Sequence, residues 1–163
     1  MHTKKTIVSV PYERAEVIRT FICQMAAWLD EENFEGFLDA CDPEVRYEAV
    51  AYSPDLGGEM RWLDHDLKGL KDMVDMIPKH VRMSGRLCRH LSMARIGCEA
   101  ENTMIAEYTF LLVRTADSGE SQLIASGRYR DRIDFGASHT PRLMQRCVRL
   151  DTTHWSPGLH VPL

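Results

Sequence analysis

The apolar residues of this chain repeat first with a helical period and later with a period of two, and that change limits the folds open to it. Over residues 13–30, Ile18, Phe21, Ile22, Met25 and Leu29 recur at helical spacing, while Glu16, Arg19 and Gln24 fall elsewhere. The spacing predicts a long amphipathic helix, and Pro11 suits its start. Asn33 is placed to cap a short helix carrying Phe34, Phe37 and Leu38, which Pro43 closes. Val45, Tyr47 and Ala49 then alternate with Arg46, Glu48 and Val50, as in a strand. Residues 52–63 contain Pro54, Gly57 and Gly58 and are expected to form a loop. Asp66 is placed to cap a third helix bearing Leu67, Leu70, Val74 and Ile77, ended by Pro78.

From Arg86 onward the pattern predicts four strands, at about 86–96, 103–114, 121–133 and 142–150. The turn Ala116-Asp117-Ser118-Gly119 and the loop 134–141 imply hairpins, hence antiparallel neighbours. Helices first and strands afterwards indicate an α+β fold, with N-terminal helices packed against a curved, mostly antiparallel sheet. A long curved sheet wrapped around helices makes a cone, whose interior is either a ligand pocket or a filled core. The 163 residues suit a single domain over 1–163, with an irregular first ten residues and an irregular tail from about 152.

Composition narrows the function classes. Apolar residues make up 44% and charged residues 27%, which is enough apolar surface for a packed core. No apolar run approaches a membrane span, and the N-terminal apolar patch is too short for a signal peptide, so a cytoplasmic protein is expected. Five scattered cysteines, an odd number, fit free thiols better than a disulfide framework.

The net charge of −4 argues against nucleic-acid binding. Residues 1–81 carry 9 cations and 16 anions, whereas residues 82–163 carry 11 and 8, and all 11 later cations are arginine. Either these arginines pair with the acidic helices of the same chain or they form a subunit interface.

Motifs that would carry chemistry are incomplete. Cys88-Arg89-His90 has the spacing of half a Rieske site, but Cys98 is followed by Glu101 where a second Cys-x-x-His is needed. No pair among the seven histidines has helical i,i+3 or i,i+4 spacing for a mononuclear iron site. There is no Gly-x-Ser-x-Gly elbow and no Gly-rich phosphate loop. Cys147 stands between Arg146 and Arg149 in a predicted strand, where a buried, inert thiol is expected. Tyr12, Tyr47, Tyr108, His90 and Asp131 are the groups available for acid–base work in a cone, and nothing singles out a dyad.

Ala125-Ser126-Gly127-Arg128-Tyr129-Arg130-Asp131-Arg132-Ile133, followed by Gln145-Arg146-Cys147-Val148-Arg149-Leu150-Asp151, resembles the small (β) subunit of Rieske ring-hydroxylating oxygenases. That family has a small-Gly-x-Tyr-x-Asp strand and then an Arg-x-x-x-Leu-Asp strand. Asp42-Pro43-Glu44-Val45-Arg46-Tyr47 resembles its entry to the first strand, and Arg86-Leu87-Cys88-Arg89-His90-Leu91-Ser92 its basic strand. The family's basic strand ends in Asn, where this chain has Ser92 or Ala94, and residues 52–63 match nothing in it.

The resemblance implies an NTF2-like cone and an α3β3 assembly. It places the [2Fe-2S] Rieske cluster and the mononuclear Fe(II) in the α subunit, with electrons from a reductase, in some members through a ferredoxin. For this chain it implies no catalytic residue, cofactor or metal of its own. The arginine-rich sheet half gains a use at the subunit interface, through Arg128, Arg130, Arg132 and Arg146. Two alternatives on the same fold are a stand-alone isomerase, dehydratase or cyclase with an acid–base pocket, and a ligand-binding or dimeric scaffold.

Overall fold

The structure, a computed structural model, describes residues 10–79, 84–136, 140–152 and 161–163. The irregular first residues, most of the tail, and His2, His80, His139, His154 and His160 lie outside them. Helix α1 (Tyr12–Asp30) starts on the Pro11 carbonyl, which accepts from the Ala15 amide at 3.0 Å. It buries Ala15, Ile18, Phe21, Ile22, Met25 and Leu29, the stripe that the periodicity predicts. Glu32 reverses the chain after it with a left-handed φ of 58°, and the Asn33 amide returns to the Trp28 carbonyl at 2.8 Å.

Asn33 caps α2 (Phe34–Asp39), its side chain accepting from the Gly36 amide at 3.1 Å. Asp66 does the same for α3 (Leu67–Met76), accepting from the Gly69 amide at 2.8 Å. Both caps satisfy amides that the first helical turn leaves without partners. Pro43, expected to close the second helix, lies instead inside the next strand, because α2 ends at Asp39.

Seven strands form one sheet. They are β1 (Cys41–Ser53), β2 (Gly58–His65), β3 (Arg86–Leu91), β4 (Arg95–Cys98), β5 (Thr103–Thr115), β6 (Ser121–Asp134) and β7 (Arg142–Leu150). Their order is β2-β1-β7-β6-β5-β3, with β4 also on β5. All described pairings are antiparallel except β1 with β7.

Two expectations change here. Residues 52–63 are not a loop: β1 runs on to Ser53 and turns through Pro54–Gly57 into β2. The strand expected at 86–96 is two strands, broken at Ser92–Ala94, both paired with β5.

The core lies between the helices and the inner face of the sheet. Phe37, Val45, Tyr47, Ala49, Leu70, Met104, Ala106, Phe110, Leu112, Tyr129, Ile133, Leu143 and Val148 fill it together with the α1 stripe. Phe110 stacks on Tyr129 with ring centroids 4.4 Å apart. Gly127, opposite Phe110 on β5 and Leu150 on β7, makes this stack possible. A Cβ there would meet the Arg149 carbonyl oxygen at 2.4 Å and Phe110 Cε1 at 3.0 Å. Since the nearest obstacle is backbone, Gly127→Ala is expected to cost ~1–3 kcal/mol through overpacking, read as a lower urea midpoint with the slope unchanged.

Candidate functional site

Four strands bring a polar cluster into the cone. Tyr47 comes from β1, Tyr108 from β5, Tyr129 and Asp131 from β6, and Arg146 from β7. Strand alternation places Tyr108 and Tyr129 directly opposite each other, and Asp131 opposite Arg146. Asp131 is 0% and Arg146 2% exposed. The guanidinium grips the carboxylate in two-toothed fashion: Nε donates to Oδ1 at 2.8 Å and Nη2 to Oδ2 at 2.7 Å. The Tyr108 hydroxyl donates to Asp131 Oδ2 at 2.6 Å and accepts from Arg146 Nη2 at 2.9 Å. The guanidinium also lies over the Tyr129 ring, 4.6 Å from its centroid.

Burial pushes the Tyr108 hydroxyl well above its ordinary pKa, and Arg146 only partly counters it. Burial works against the charge of Arg146, but the Asp131 carboxylate outweighs that and holds the guanidinium proton more tightly than usual. The cluster is therefore one neutral Tyr resting on one buried ion pair. A second pair closes beside it. Arg89 Nη1 pairs with Asp30 at the end of α1, and the Arg89 amide donates to Asp30 Oδ2 at 2.8 Å.

Of the acid–base inventory, the structure brings together Tyr47, Tyr108 and Asp131. It leaves Tyr12 73% exposed on α1 and His90 exposed on β3. Cys88 shares His90's exposed face. Among the described residues no three His, Cys, Asp or Glu side chains gather as a metal-binding group.

Of the four arginines assigned to a subunit interface, Arg128, Arg130 and Arg132 are on the outer face, with side chains 64%, 53% and 41% exposed. Arg146 is a correction, because it points inward. The register shifts between Arg132 and Ile133 against β7, and the irregularity moves Leu143 and Arg146 onto the same inner face. The later arginine Arg89 does pair with a helix acid, Asp30 of α1, whereas among the described residues the outer-face arginines pair with acids of the sheet and its loops. Arg130 and Arg95 reach Glu107 on β5 at 3.6 and 3.1 Å, Arg132 reaches Glu99 at 2.6 Å, and Arg149 pairs with Glu59 on β2. Arg95, Arg128, Arg130, Arg149, Glu107 and Cys147 line a shallow depression of about 580 Å³ on this face.

No family model matches the chain. It is 32% identical over 146 residues to the 2-aminobenzenesulfonate 2,3-dioxygenase subunit beta of an Alcaligenes species, an alignment covering 90% of this chain and 97% of that protein. The chain belongs to the β subunits of ring-hydroxylating oxygenases. Another β subunit, that of the methanesulfonate monooxygenase hydroxylase of Methylosulfonomonas methylovora, is 25% identical over 162 residues, covering 93% of this chain and 88% of that one.

The fold agrees with this membership. The β subunit of a putative aromatic-ring-hydroxylating dioxygenase from Novosphingobium aromaticivorans superposes with a TM-score of 0.78 at 22% identity, covering 91% of this chain and 95% of that one. The NTF2-like cone is thus the fold of this β subunit. The inward-facing Arg146 was the feature that sequence reasoning misplaced. A signal for it existed in Asp131, a carboxylate at an inward-facing strand position that needs a buried partner.

Two predictions follow from this geometry. Asp131→Asn leaves Arg146 buried without a compensating charge and is expected to cost ~3–5 kcal/mol in chemical unfolding. The double replacement Asp131→Leu with Arg146→Met is expected to cost less than Asp131→Asn alone. The thiols provide the second test. Burial raises Cys41 to about 12 and Cys147 to about 11, so both remain protonated in mild alkali. Cys23 and Cys88 are exposed. Iodoacetamide at about pH 8 should label Cys23 and Cys88 first and leave Cys41 unlabelled until the protein unfolds, as read by peptide mass spectrometry.

Proposed function

We propose that this β subunit is non-catalytic and holds catalytic α subunits in an α3β3 oxygenase. The reaction is carried out on the partner, at a [2Fe-2S] Rieske cluster and a mononuclear Fe(II), with electrons delivered by a reductase and, where present, a ferredoxin. Such an assembly works in the cytoplasm. The observation that carries the reading is near full-length similarity to an oxygenase β subunit, at 32% identity. The buried cluster supports it, since the hydroxyls of Tyr47 and Tyr108 are both engaged in internal hydrogen bonds.

The substrate proposed for the complex is an organosulfonate. The two curated relatives are named for 2-aminobenzenesulfonate and methanesulfonate, one aromatic and one not, and the sulfonate group is what those names share. Co-expression with the neighbouring large-subunit gene, followed by substrate-dependent oxygen uptake, tests this. Uptake with either sulfonate and none with benzoate is expected, and the reverse pattern overturns the substrate assignment.

Arg128, Arg130 and Arg132 are the proposed contacts to the neighbouring subunit. Their guanidiniums project from a sheet face where the carboxylate contacts of Arg128 and Arg130 are long, at 3.6 Å each. Exposed pairs of this kind contribute little to the fold and are free to exchange partners. Reversing the charge in Arg128→Glu with Arg130→Glu is expected to weaken assembly by about tenfold or more, corresponding to ~1.4 kcal/mol. Sedimentation of the complex measures this, and an unchanged profile removes these residues from the interface.

A further inference from the structure

The corner between α1 and α2 and the outer face of the sheet carry opposite charge. Residues 30–44 hold seven carboxylates and no lysine or arginine. Glu31, Glu35, Asp39 and Glu44 are exposed, and among the described residues none of the four is in an ion pair. Arg142, the nearby cation, gives its guanidinium to the main-chain oxygens of Asp39 and Cys41.

The depression on the outer face has the complementary make-up. Arg95, Arg128, Arg130 and Arg149 line it together with a single carboxylate, Glu107, which Arg95 and Arg130 share. Asp151 reaches Arg128 at 3.6 Å, and Glu59 meets Arg149, both from outside the lining. Pairs this exposed give up a partner at little cost, so a carboxylate arriving from another molecule can exchange into them. Met93, 82% exposed at the break between β3 and β4, adds an adaptable apolar group to the same lining.

The two surfaces cannot meet within one copy. The helices pack on the inner face of the sheet, whereas the depression opens on the outer face. One copy's corner can meet only another copy's sheet, and a head-to-tail contact of this kind closes into a ring when its rotation allows.

We propose that the outer arginine depression receives the acidic α1–α2 corner of a second copy of this chain, in a head-to-tail contact that closes as a ring of three. Glu31 and Glu35 of one copy meet the guanidiniums of Arg128 and Arg130 of the next. The inference rests on the reading of Arg128 and Arg130 as subunit contacts and names the neighbour they hold. A contact built on exposed charges also weakens as salt rises.

Sedimentation equilibrium of the full chain without a large subunit, at about 100 μM, tests this. A trimer is expected at low salt, dissociating at high salt. Glu31→Arg with Glu35→Arg, and separately Arg128→Glu with Arg130→Glu, should each weaken self-association by at least about tenfold. All four substitutions together should restore it to within about threefold of the original, a recovery that damage to the fold does not produce. A monomeric full chain, or four substitutions that recover nothing, overturns the proposal. If Arg128→Glu with Arg130→Glu weakens assembly with the large subunit but leaves self-association unchanged, the arginines face that subunit; the ring contact is then overturned while the oxygenase reading stands.

Discussion

The buried pairing of Arg146 with Asp131 is the contact on which the inside of this molecule depends. A guanidinium and a carboxylate taken out of water are tolerated only with close geometry and with their remaining hydrogen-bonding capacity used. Here the pair is two-toothed, Tyr108 bridges both members, and the Tyr129 ring covers the cation. Such a pair gives little net stability compared with apolar residues of equal size. It does fix which residues of β6 and β7 face each other, because a slip by one residue would turn one member outward and leave the other charge buried alone, and a slip by two would keep both inside but apart. Register and polar core are the same fact in this sheet.

That inner face divides the protein's surfaces by role. The interior is dominated by tyrosine rings and aliphatic side chains around two closed ion pairs. The outer face of the same strands carries arginines in looser pairs with acids of the sheet and its loops. Alternation along β6 produces both faces from one stretch, with Arg128, Arg130 and Arg132 outside and Gly127, Tyr129, Asp131 and Ile133 inside. The holding role proposed above would use such a division: a closely packed interior and an exterior able to exchange partners.

Much of the fold was legible in the sequence because its local signals agree. The α1 stripe, the Asn33 and Asp66 caps and the strands β5 to β7 each follow from periodicity or capping chemistry that acts over a few residues. β2 was not legible. It is an edge strand with no fully buried position, so Pro54, Gly57 and Gly58 outweighed its weak alternation. The break at Ser92–Ala94 was hidden because both halves pair with the same partner. Arg146 was misread because its charge suggested an outer face, although it alternates in phase with the buried Val148 and Leu150 and its neutralising partner, Asp131, comes from another strand. The segment 161–163 lies far in sequence from Tyr47 and Arg89, so its seating in the core is a purely tertiary fact.

The parallel contact of β1 with β7 has a consequence for synthesis. β1 is complete by Ser53, yet its neighbour on that side spans Arg142–Leu150. While the ribosome makes the intervening stretch, one flank of the emerging β1–β2 hairpin has open amides and carbonyls, the kind of edge that recruits foreign strands. Antiparallel neighbours later in the chain can zip up as they emerge, whereas this joint closes only once β7 has been made. The time that unfinished flank stays open during synthesis is a kinetic burden set by connectivity rather than by the strength of any contact.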